Sequence, residues 1–304
     1  MAASRSDSGR AAGRAGTASA GARLRAALEA ERPLQVVGAV SAFAARLAER
    51  AGFRAAYLSG AGVANSAFGL PDLGLTTRTE VVEEARRITR ATALPLLVDA
   101  DTGFGDALGI ARTVTELAAA GAAGLHLEDQ VAEKRCGHRP GVRLVSSAEM
   151  AARVGAAVGA RPDPAFVIVA RTDAARAEGM DAAIARARHY QAAGADWIFA
   201  EALGDAEAFR RMSAALTIPV LANMTEFGRS PLLGAAELGA LGVRVVLYPL
   251  SAFRAMSQAA DAVYREIRAT GSQAASLHRM QTRDELYAVL GYEGAEARQG
   301  RGRR

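Results

Sequence analysis

The chain has very little cysteine, lysine and aromatic side chain. Of its 304 residues, one is cysteine, one is lysine and one is tryptophan. A single cysteine excludes an internal disulfide and agrees with a reducing compartment such as the cytoplasm. No apolar run approaches the roughly 18 residues that a membrane span needs, so we expect no membrane partner. The sparse aromatics are not interleaved with basic residues as in base-stacking proteins, so we expect no nucleic-acid partner.

The net charge of +5 lies largely at the two ends of the chain. Residues 1–22 are mostly Ala, Gly, Ser and Arg with almost nothing to bury, and residues 293–304 are rich in arginine. We therefore predict disordered tails at 1–22 and 293–304. Half of the residues are hydrophobic, which is enough for a large core, so we predict one folded domain over 23–292.

Short apolar runs alternate with amphipathic stretches of about 10 to 15 residues through most of the chain. This alternation predicts repeated strand–helix units with parallel strands, and eight such runs predict a (β/α)8 TIM-type barrel. The predicted strands are 34–38, 56–59, 96–101, 124–129, 166–173, 197–201, 220–223 and 243–248.

Helix boundaries are marked by capping residues. Thr77 and Ser147 predict helices over 78–90 and 148–158, and Ser230 before a proline predicts a further helix start. Four helices are predicted to end at a left-handed glycine before the next strand. These glycines are Gly52, Gly121, Gly194 and Gly242.

A pair of helices, 251–270 and 282–290, is predicted after the last strand. Their apolar stripes predict packing against the barrel or against a neighbouring subunit.

Polar residues close most of the predicted strands, where barrel enzymes carry their reacting groups. They are Ser59, Asp99, Asp101, Glu128, Asp129, Arg171, Asp173, Glu201 and Asn223, with Arg254 after the eighth strand. Asp, Asn and Ser also favour loop starts for structural reasons, but Arg and Glu have no such preference. The ring therefore predicts a functional site.

Asp99 and Asp101 are the candidate metal ligands. Alternation along a strand would place both carboxylates on one face, about 6 to 7 Å apart. Such a pair suits Mg²⁺, which takes one or two carboxylates, keeps several waters and binds substrate oxygens. His126 and Glu128 share a face by the same spacing and would add a hydrogen-bonding group and a carboxylate to the same mouth.

The only cysteine lies two residues after the only lysine. Cys136 is flanked by Lys134, Arg135 and His138, and this positive field predicts a lowered thiol pKa. A thiol of this kind suits a proton donor or a nucleophile.

A metal on one side and several cations on the other predict a small, highly anionic substrate. A metal-bound 2-hydroxycarboxylate beside a thiol suggests carbon–carbon cleavage, with the thiol delivering a proton to carbon. The group that takes the hydroxyl proton stays open: Tyr57, a metal-bound water and a carboxylate are all candidates.

Seven segments carry a resemblance to a known family. They are 57–60 (YLSG), 70–72 (LPD), 99–105 (DADTGFG), 128–130 (EDQ), 134–138 (KRCGH), 170–173 (ARTD) and 223–226 (NMTE). With them the chain resembles the isocitrate lyase/phosphoenolpyruvate mutase superfamily over about residues 34–292. The branch that it resembles most cleaves 2-methylisocitrate.

The resemblance implies Mg²⁺-dependent cleavage of this tricarboxylate to pyruvate and succinate, in the methylcitrate cycle of propionate catabolism. It also implies a homotetramer with C-terminal helices exchanged between subunits. By resemblance, Cys136 donates a proton to the succinate carbanion from a mobile loop that closes over the substrate, and Asp99 and Asp101 hold the metal.

The resemblance carries further roles. It assigns substrate contacts to Ser59, Gly60, Ala61, Gly137, His138, Arg171, Glu201, Asn223, Met224, Thr225, Arg254 and Arg283. It assigns catalytic roles to Tyr57, His126 and Glu128, and supporting roles to Asp72, Lys134 and Arg135. Ala61 departs from the family pattern, which commonly has a third consecutive glycine there.

Two alternatives compete with this interpretation. The first is another member of the superfamily, such as an isocitrate lyase, an oxaloacetate decarboxylase or a phosphonate-forming mutase. Isocitrate lyases are longer and have Lys-Lys-Cys-Gly-His in place of 134–138, whereas the others generally lack this cysteine loop. The second alternative is a catalytically silent barrel that binds partners through its basic tails.

Overall fold

A computed structural model describes residues 18–301 as a closed barrel of eight parallel strands in sequential order, β1 to β8, with β8 paired to β1. The strands are β1 Leu34–Gly38, β2 Ala55–Leu58, β3 Leu96–Asp99, β4 Gly124–Glu128, β5 Val167–Thr172, β6 Trp197–Ala200, β7 Val220–Asn223 and β8 Val245–Tyr248. The predicted (β/α)8 barrel is confirmed.

The strands are short and apolar because most of them are buried on both faces. Side chains pointing inward, such as Val169 and Phe199, fill the barrel. Side chains pointing outward, such as Ile168 and Ile198, pack under the surrounding helices. The polar residues predicted to close the strands come at the carboxyl ends, so most of them meet at one mouth of the barrel.

Helices connect the strands and surround them. They are α1 Ala20–Ala30, α2 Ala42–Arg50, α3 Gly60–Phe68, α4 Arg78–Ala91, α5 Ala107–Ala119, α6 Ser147–Gly159, α7 Ala174–Ala177, α8 Met180–Ala192, α9 Ala206–Ala214 and α10 Ala235–Ala240. After the barrel come α11 Ser251–Thr270, a 3₁₀ helix at Ala274–Arg279, α12 Arg283–Leu290 and α13 Tyr292–Arg301.

Most predicted helix boundaries agree with the structure. Thr77 caps α4 in a capping box with Glu80. The four predicted glycines have φ between 88° and 99°, the left-handed region that favours glycine. Ser147 is the first residue of α6 instead of its cap, because the hydroxyl of Ser146 accepts from the amide of Glu149.

The helix start predicted at Ser230 is wrong. The next helix, α10, begins only after Gly234. Before it, the chain is held near the barrel mouth, where the backbone amide of Arg229 donates to Nδ1 of His138 at 3.0 Å. A tertiary contact therefore prevents the local cap signal from starting a helix.

Helix α1 closes the end of the barrel opposite the mouth. Leu24, Ala27 and Leu28 belong to the same buried cluster as the inward-facing strand residues. The prediction of disorder over 1–22 is wrong for residues 20–22, which are helical after the cap Ser19. For 1–17 that prediction lies outside the described residues.

The segment after the barrel is largely exposed. Helix α11 is 20 residues long and has no buried residue. The prediction of disorder from 293 is wrong up to Arg301, because α13 continues beyond the capping Gly291 and the ring of Tyr292 stacks on Tyr287. None of the helices in the described part of the chain is long and apolar enough to cross a membrane.

Candidate active site

A cavity of about 200 Å³ opens at the carboxyl ends of the strands. Its lining includes most of the residues predicted for the site. These are Tyr57, Ser59, Ala61, Asp72, Asp99, Glu128, Lys134, Arg135, Cys136, Gly137, His138, Arg171, Glu201, Asn223, Thr225 and Arg254. The structure thus brings together residues that are up to about 200 positions apart in sequence, as expected where parallel strands end.

The predicted geometry of the aspartate pair needs a correction. Strand β3 ends at Asp99, and Asp101 lies in a turn with φ of 47°. Strand alternation therefore does not set its direction. The two side chains converge instead because the amide of Asp101 donates to Oδ1 of Asp99 at 3.0 Å and both carboxylates approach Gly60.

The two carboxylates have opposite pKa shifts. Burial opposes ionisation of Asp99, but the nearby positive groups outweigh it and lower its pKa to about 2. Burial and the charge of Asp99 raise the pKa of Asp101 to about 6. Two buried carboxylates in contact repel each other when both are charged, so a cation between them is stabilising.

Tyr57 and His126 lie beside this pair. The Tyr57 hydroxyl is 2.9 Å from Nε2 of His126 and donates to Oδ2 of Asp99 at 3.3 Å. Burial lowers the pKa of His126 to about 4, so its imidazole is neutral. Burial and the charge of Asp99 raise the pKa of Tyr57 well above its ordinary value. The pKa shift and the contacts both favour a neutral phenol that donates a hydrogen bond.

The oxygen donors fit a hard divalent cation. Asp99 and Asp101 supply two carboxylates, and the buried Oε1 of Glu128 has no hydrogen-bond partner. No three His, Cys, Asp or Glu side chains within residues 18–301 form a ready-made cage. Mg²⁺ does not require such a cage, because it keeps waters and takes ligands from the substrate.

Lys134 does not face the thiol, contrary to prediction. Its buried ammonium lies 2.5 Å from Oδ1 of Asp72 and 2.6 Å from Oδ1 of Asp101. Burial opposes its charge, but the surrounding carboxylates prevail and raise its pKa. The only lysine therefore belongs to the metal side of the cavity.

The thiol loop, residues 131–143, carries Cys136 over the cavity. The predicted lowering of the thiol pKa is wrong. Burial raises the pKa of Cys136, although a hydrogen bond from the His138 backbone acts in the opposite direction. The exposed Arg135 turns away toward the carbonyl of Pro140 and does not supply the expected positive field.

Arg171 is the centre of a buried ionic cluster. Its Nε and one terminal nitrogen each donate to Asp173 at 3.0 Å. Carboxylate oxygens of Glu128 and Glu201 each lie 3.4 Å from a terminal nitrogen of the guanidinium. The guanidinium also lies 5.1 Å from the ring centre of Phe199. Burial opposes ionisation of Arg171, but these carboxylates keep its pKa raised.

Glu201 joins three parts of the mouth. Nε2 of His138 lies 2.9 Å from its Oε1, and the amide of Asn223 donates to its Oε2 at 3.1 Å. Burial opposes ionisation of Glu201, but Arg171 and His138 lower its pKa to about 2. Oδ1 of Asn223 is buried without a hydrogen-bond partner and is therefore available to a ligand.

The remaining predicted residues divide into two groups. Ser59 and Ala61 line the cavity at the start of α3, and the amide of Gly60 donates to Oδ2 of Asp99 at 3.0 Å. Met224 is buried in the outer core, and Arg283 is exposed at the start of α12. Neither Met224 nor Arg283 lines the cavity in the described chain.

Two features of the site were not predicted from the sequence. Asp173 was recognised as a strand end but not as the bidentate partner of Arg171, although its two-residue spacing was a usable signal. An apolar wall was also missed, because nothing in its local sequence marks it. This wall is formed by Phe199, Leu247, Pro249 and Leu250.

Comparisons with known proteins show which family the chain belongs to. A family model described as phosphoenolpyruvate phosphomutase matches residues 24–268. A 2-methylisocitrate lyase of Shewanella oneidensis is 54% identical over 280 residues, covering 92% of this chain and 96% of that protein. A 2-methylisocitrate lyase of Escherichia coli is 54% identical over 275 residues, covering 90% of this chain and 93% of that protein.

Solved structures lead to the same superfamily. The crystal structure of 2,3-dimethylmalate lyase, a PEP mutase/isocitrate lyase superfamily member, matches with a TM-score of 0.87 at 33% identity, covering 94% of this chain and 96% of that one. A complex of phosphonopyruvate hydrolase with oxalate and Mg²⁺ matches with a TM-score of 0.83 at 28% identity, covering 94% and 100% of the two chains. With a family model covering most of its length and relatives above half identity, the chain belongs to the phosphoenolpyruvate phosphomutase family, within the superfamily that its sequence motifs resemble.

Proposed function

We propose that this protein is a carbon–carbon lyase that cleaves 2-methylisocitrate to pyruvate and succinate with Mg²⁺. The observation that carries the proposal is that Cys136 and Asp99 line one small cavity. A thiol donor and a carboxylate metal ligand are thereby available to the same substrate. The 54% identity to 2-methylisocitrate lyases over about nine-tenths of the chain supports this choice of substrate.

Asp99 and Asp101 would hold the metal, with Glu128 and Asp72 nearby. When bound, Mg²⁺ would polarise the substrate hydroxyl and carboxylate and stabilise negative charge on oxygen. Lys134 pairs with Asp101 and Asp72 and so neutralises part of the negative charge on the metal side of the cavity.

The cleavage begins when the substrate hydroxyl loses its proton. The carbon–oxygen bond becomes a carbonyl as the adjacent carbon–carbon bond breaks, which releases pyruvate and leaves the electron pair on the succinate carbon. Cys136 then gives its proton to that carbon, and the thiolate is later reprotonated from water. A raised thiol pKa suits this role, because the thiol must arrive protonated.

A carboxylate of the site is a better candidate than Tyr57 for the base that takes the hydroxyl proton. The raised pKa of Tyr57 means that a phenolate is scarce at neutral pH. Its hydroxyl is better suited to orient Asp99 and His126, both of which it contacts.

The substrate carboxylates require cations at the mouth. Arg254 is half-exposed, and its nearest carboxylate, that of Glu226, is 3.7 Å away. In the described chain this ion pair involves its Nε, so the terminal nitrogens can still bind a substrate carboxylate. Arg171 supplies a further guanidinium to the cavity, and the imidazole of His138 can hydrogen-bond a substrate oxygen. Phe199 and Leu247 offer an apolar surface to the rest of the substrate.

The proposal extends to the cellular compartment and to the oligomeric state. We place the protein in the cytoplasm, since its one cysteine forms no internal disulfide, and propose a homotetramer with exchanged C-terminal helices. The bare apolar face of α11 supports this assembly.

Steady-state assays test the activity. We expect Mg²⁺-dependent pyruvate release from 2-methylisocitrate that is faster than glyoxylate release from isocitrate, and loss of activity with EDTA that Mg²⁺ restores. Faster turnover of isocitrate, or of 2,3-dimethylmalate, would assign another reaction of the superfamily. No lyase activity, together with nucleic-acid binding that is lost on deletion of residues 1–17, would favour the silent barrel.

Substitution of the thiol tests the mechanism. Cys136→Ser is expected to lower kcat by at least about 100-fold, since general acid catalysis contributes 10²–10⁴-fold, with Tm unchanged. Retained turnover would contradict the role of Cys136 without affecting the assignment of the substrate.

A further inference from the structure

A second group of charged residues lies outside the cavity, on the outer side of the barrel. Its centre is Arg186 of α8, whose side chain is only 9% exposed. Nε and one terminal nitrogen of Arg186 donate to the two carboxylate oxygens of Glu178 at 2.7 and 2.6 Å. The other terminal nitrogen donates to the carbonyl of Val145 at 2.9 Å and to the Tyr190 hydroxyl at 3.1 Å.

The network continues inward to Asp129, which is fully buried. The Tyr190 hydroxyl donates to Oδ2 of Asp129 at 2.9 Å, and Arg186 lies 3.6 Å from the same oxygen. Asp129 also accepts from the Thr172 hydroxyl at 2.7 Å and from the amide of Asp173 at 3.0 Å. Its carboxylate therefore holds the end of β5.

That strand end carries the Arg171 cluster. Asp173, whose amide is bound by Asp129, is the bidentate partner of the Arg171 guanidinium. A shift of Asp129 would move Asp173 and with it the direction of Arg171. The buried chain of contacts thus runs from α8 to a cation of the cavity without any exposed link.

The same arginine also holds the base of the thiol loop. The loop is closed by a bridge between Gln130 and Leu144. Next to this bridge, the amide of Val145 donates to the carbonyl of Asp129 at 2.9 Å. The carbonyl of Val145 is the group that Arg186 binds. One guanidinium therefore touches both the loop that carries the thiol and the residue that holds β5.

We propose that Arg186 is a positioning residue for the lyase reaction, acting through Val145 on the thiol loop and through Tyr190 and Asp129 on Arg171. The inference rests on the proposed function only for its kinetic readout. A buried guanidinium needs partners for its N–H donors whatever its role. What points to positioning is that these partners are the base of the thiol loop and the tyrosine that binds Asp129.

Three variants separate the two routes, one through Val145 to the thiol loop and one through Tyr190 and Asp129 to Arg171. Arg186→Met removes both routes. Its ion-pair partner Glu178 is 36% exposed and can be hydrated, so we expect this variant to fold. Tyr190→Phe removes the hydroxyl that joins Arg186 to Asp129 and leaves the contact of Arg186 with Val145 in place. Arg186→Lys is the conservative variant and should recover part of what Arg186→Met loses. The matched control is Ile88→Ala, a fully buried core substitution on α4, three strands away around the barrel.

The readouts are of two kinds, for the cavity and for the thiol, and only kcat/KM depends on activity. The cavity is followed by kcat/KM for 2-methylisocitrate and by the dissociation constant of succinate from calorimetry. The thiol is followed by the rate at which iodoacetamide alkylates Cys136 in the native protein, a specific probe because there is no other cysteine.

We expect Arg186→Met to lower kcat/KM by about 10- to 100-fold, since small misplacements of binding groups have effects of this size, and to speed alkylation severalfold. Tyr190→Phe should lower kcat/KM and weaken succinate binding with alkylation unchanged. Ile88→Ala should lower Tm with neither readout changed.

The proposal is overturned if Arg186→Met matches the wild type in kcat/KM and alkylation, or if Ile88→Ala changes both as much as Arg186→Met does. If Arg186→Met fails to fold, Arg186→Lys and Tyr190→Phe test the proposal instead. Wild-type kcat/KM and alkylation rates in both of these variants would overturn the positioning role of Arg186. A wild-type protein without lyase activity would reject the proposed function, while succinate binding and alkylation would still test the positioning role.

Discussion

At Gly137 the backbone of the thiol loop passes close to the buried ion pair of Asp173 and Arg171. A Cβ atom at this position would lie 2.1 Å from Oδ1 of Asp173 and 2.7 Å from a terminal nitrogen of Arg171. Real Cβ atoms do not approach that closely, so any side chain must push the loop outward. The thiol of the neighbouring Cys136 would then move away from the cavity.

We predict that Gly137→Ala lowers kcat/KM by about 100-fold, the effect expected of a misplaced catalytic group. Tm should change little, because the loop can move into solvent. A Cβ atom added at Gly155 in α6 would meet no other atom within 4 Å, so Gly155→Ala is the matched control and should keep full activity. Equal kcat/KM in both variants would show that the loop does not need this close approach.

The pH dependence of alkylation tests the state of the thiol. Burial raises the pKa of Cys136, so the reactive thiolate is scarcer at a given pH than in an ordinary cysteine. We predict that the iodoacetamide rate of the ligand-free protein rises with pH to a midpoint higher than that of the unfolded chain, because burial raises the pKa of Cys136. A native midpoint below that of the unfolded chain would instead support the lowered pKa of the Cys136 thiol that its flanking cations predicted.

Among the individual elements, helix α1 has a purely structural task. Its residues Leu24 and Leu28 fill the end of the barrel opposite the cavity. Residues at that end of a barrel serve stability, whereas those at the mouth serve chemistry. Stability and activity should therefore respond separately to changes in α1.

We predict that Leu24→Ala lowers the free energy of unfolding by about 3 kcal/mol, the usual effect of removing a fully buried leucine side chain. At 25 °C, kcat should stay within about twofold, since the variant remains folded and the mouth is untouched. Arg23→Ala on the exposed face should change stability by less than about 0.5 kcal/mol. Denaturant unfolding measures both variants, and an unaffected Leu24→Ala would mean that α1 does not dock as described.

For the molecule as a whole, helix α11 presents an exposed apolar face, and we propose that a second copy of the chain covers it. The helix has no buried residue, yet Tyr264 is 71% and Ile267 is 42% exposed. A 20-residue helix with an uncovered apolar stripe is typical of a subunit interface. A second copy of the chain is the occupant that the family resemblance implies.

We predict that Tyr264→Glu combined with Ile267→Glu reduces the assembly to smaller species in sedimentation velocity, because two charges would be buried without partners. Arg265→Glu on the same helix is the charge-changing control, because this 79% exposed side chain does not share a face with Tyr264 or Ile267, and it should leave the assembly intact. A monomeric wild-type protein would contradict the proposed tetramer.

The barrel and most of the cavity lining follow from the order of the amino acids alone. The alternation of apolar runs and amphipathic helices predicts parallel strands, eight such runs predict a closed barrel, and parallel strands bring their carboxyl ends to one mouth. For that reason Asp99, Glu128, Arg171 and Glu201 were found from their strand-end positions alone. Capping residues such as Thr77 could also be recognised from the sequence, because a cap acts within one turn of helix.

Which groups meet within that mouth depends on the tertiary structure. Lys134 neighbours Cys136 in sequence but turns to Asp72 and Asp101, so charge near a residue in sequence did not predict its pKa. Ser230 carried a helix-start signal that a contact with His138 overrides. The direction of a long side chain in a loop, and the burial around it, depend on segments far away in the chain, and only the folded barrel brings those segments together.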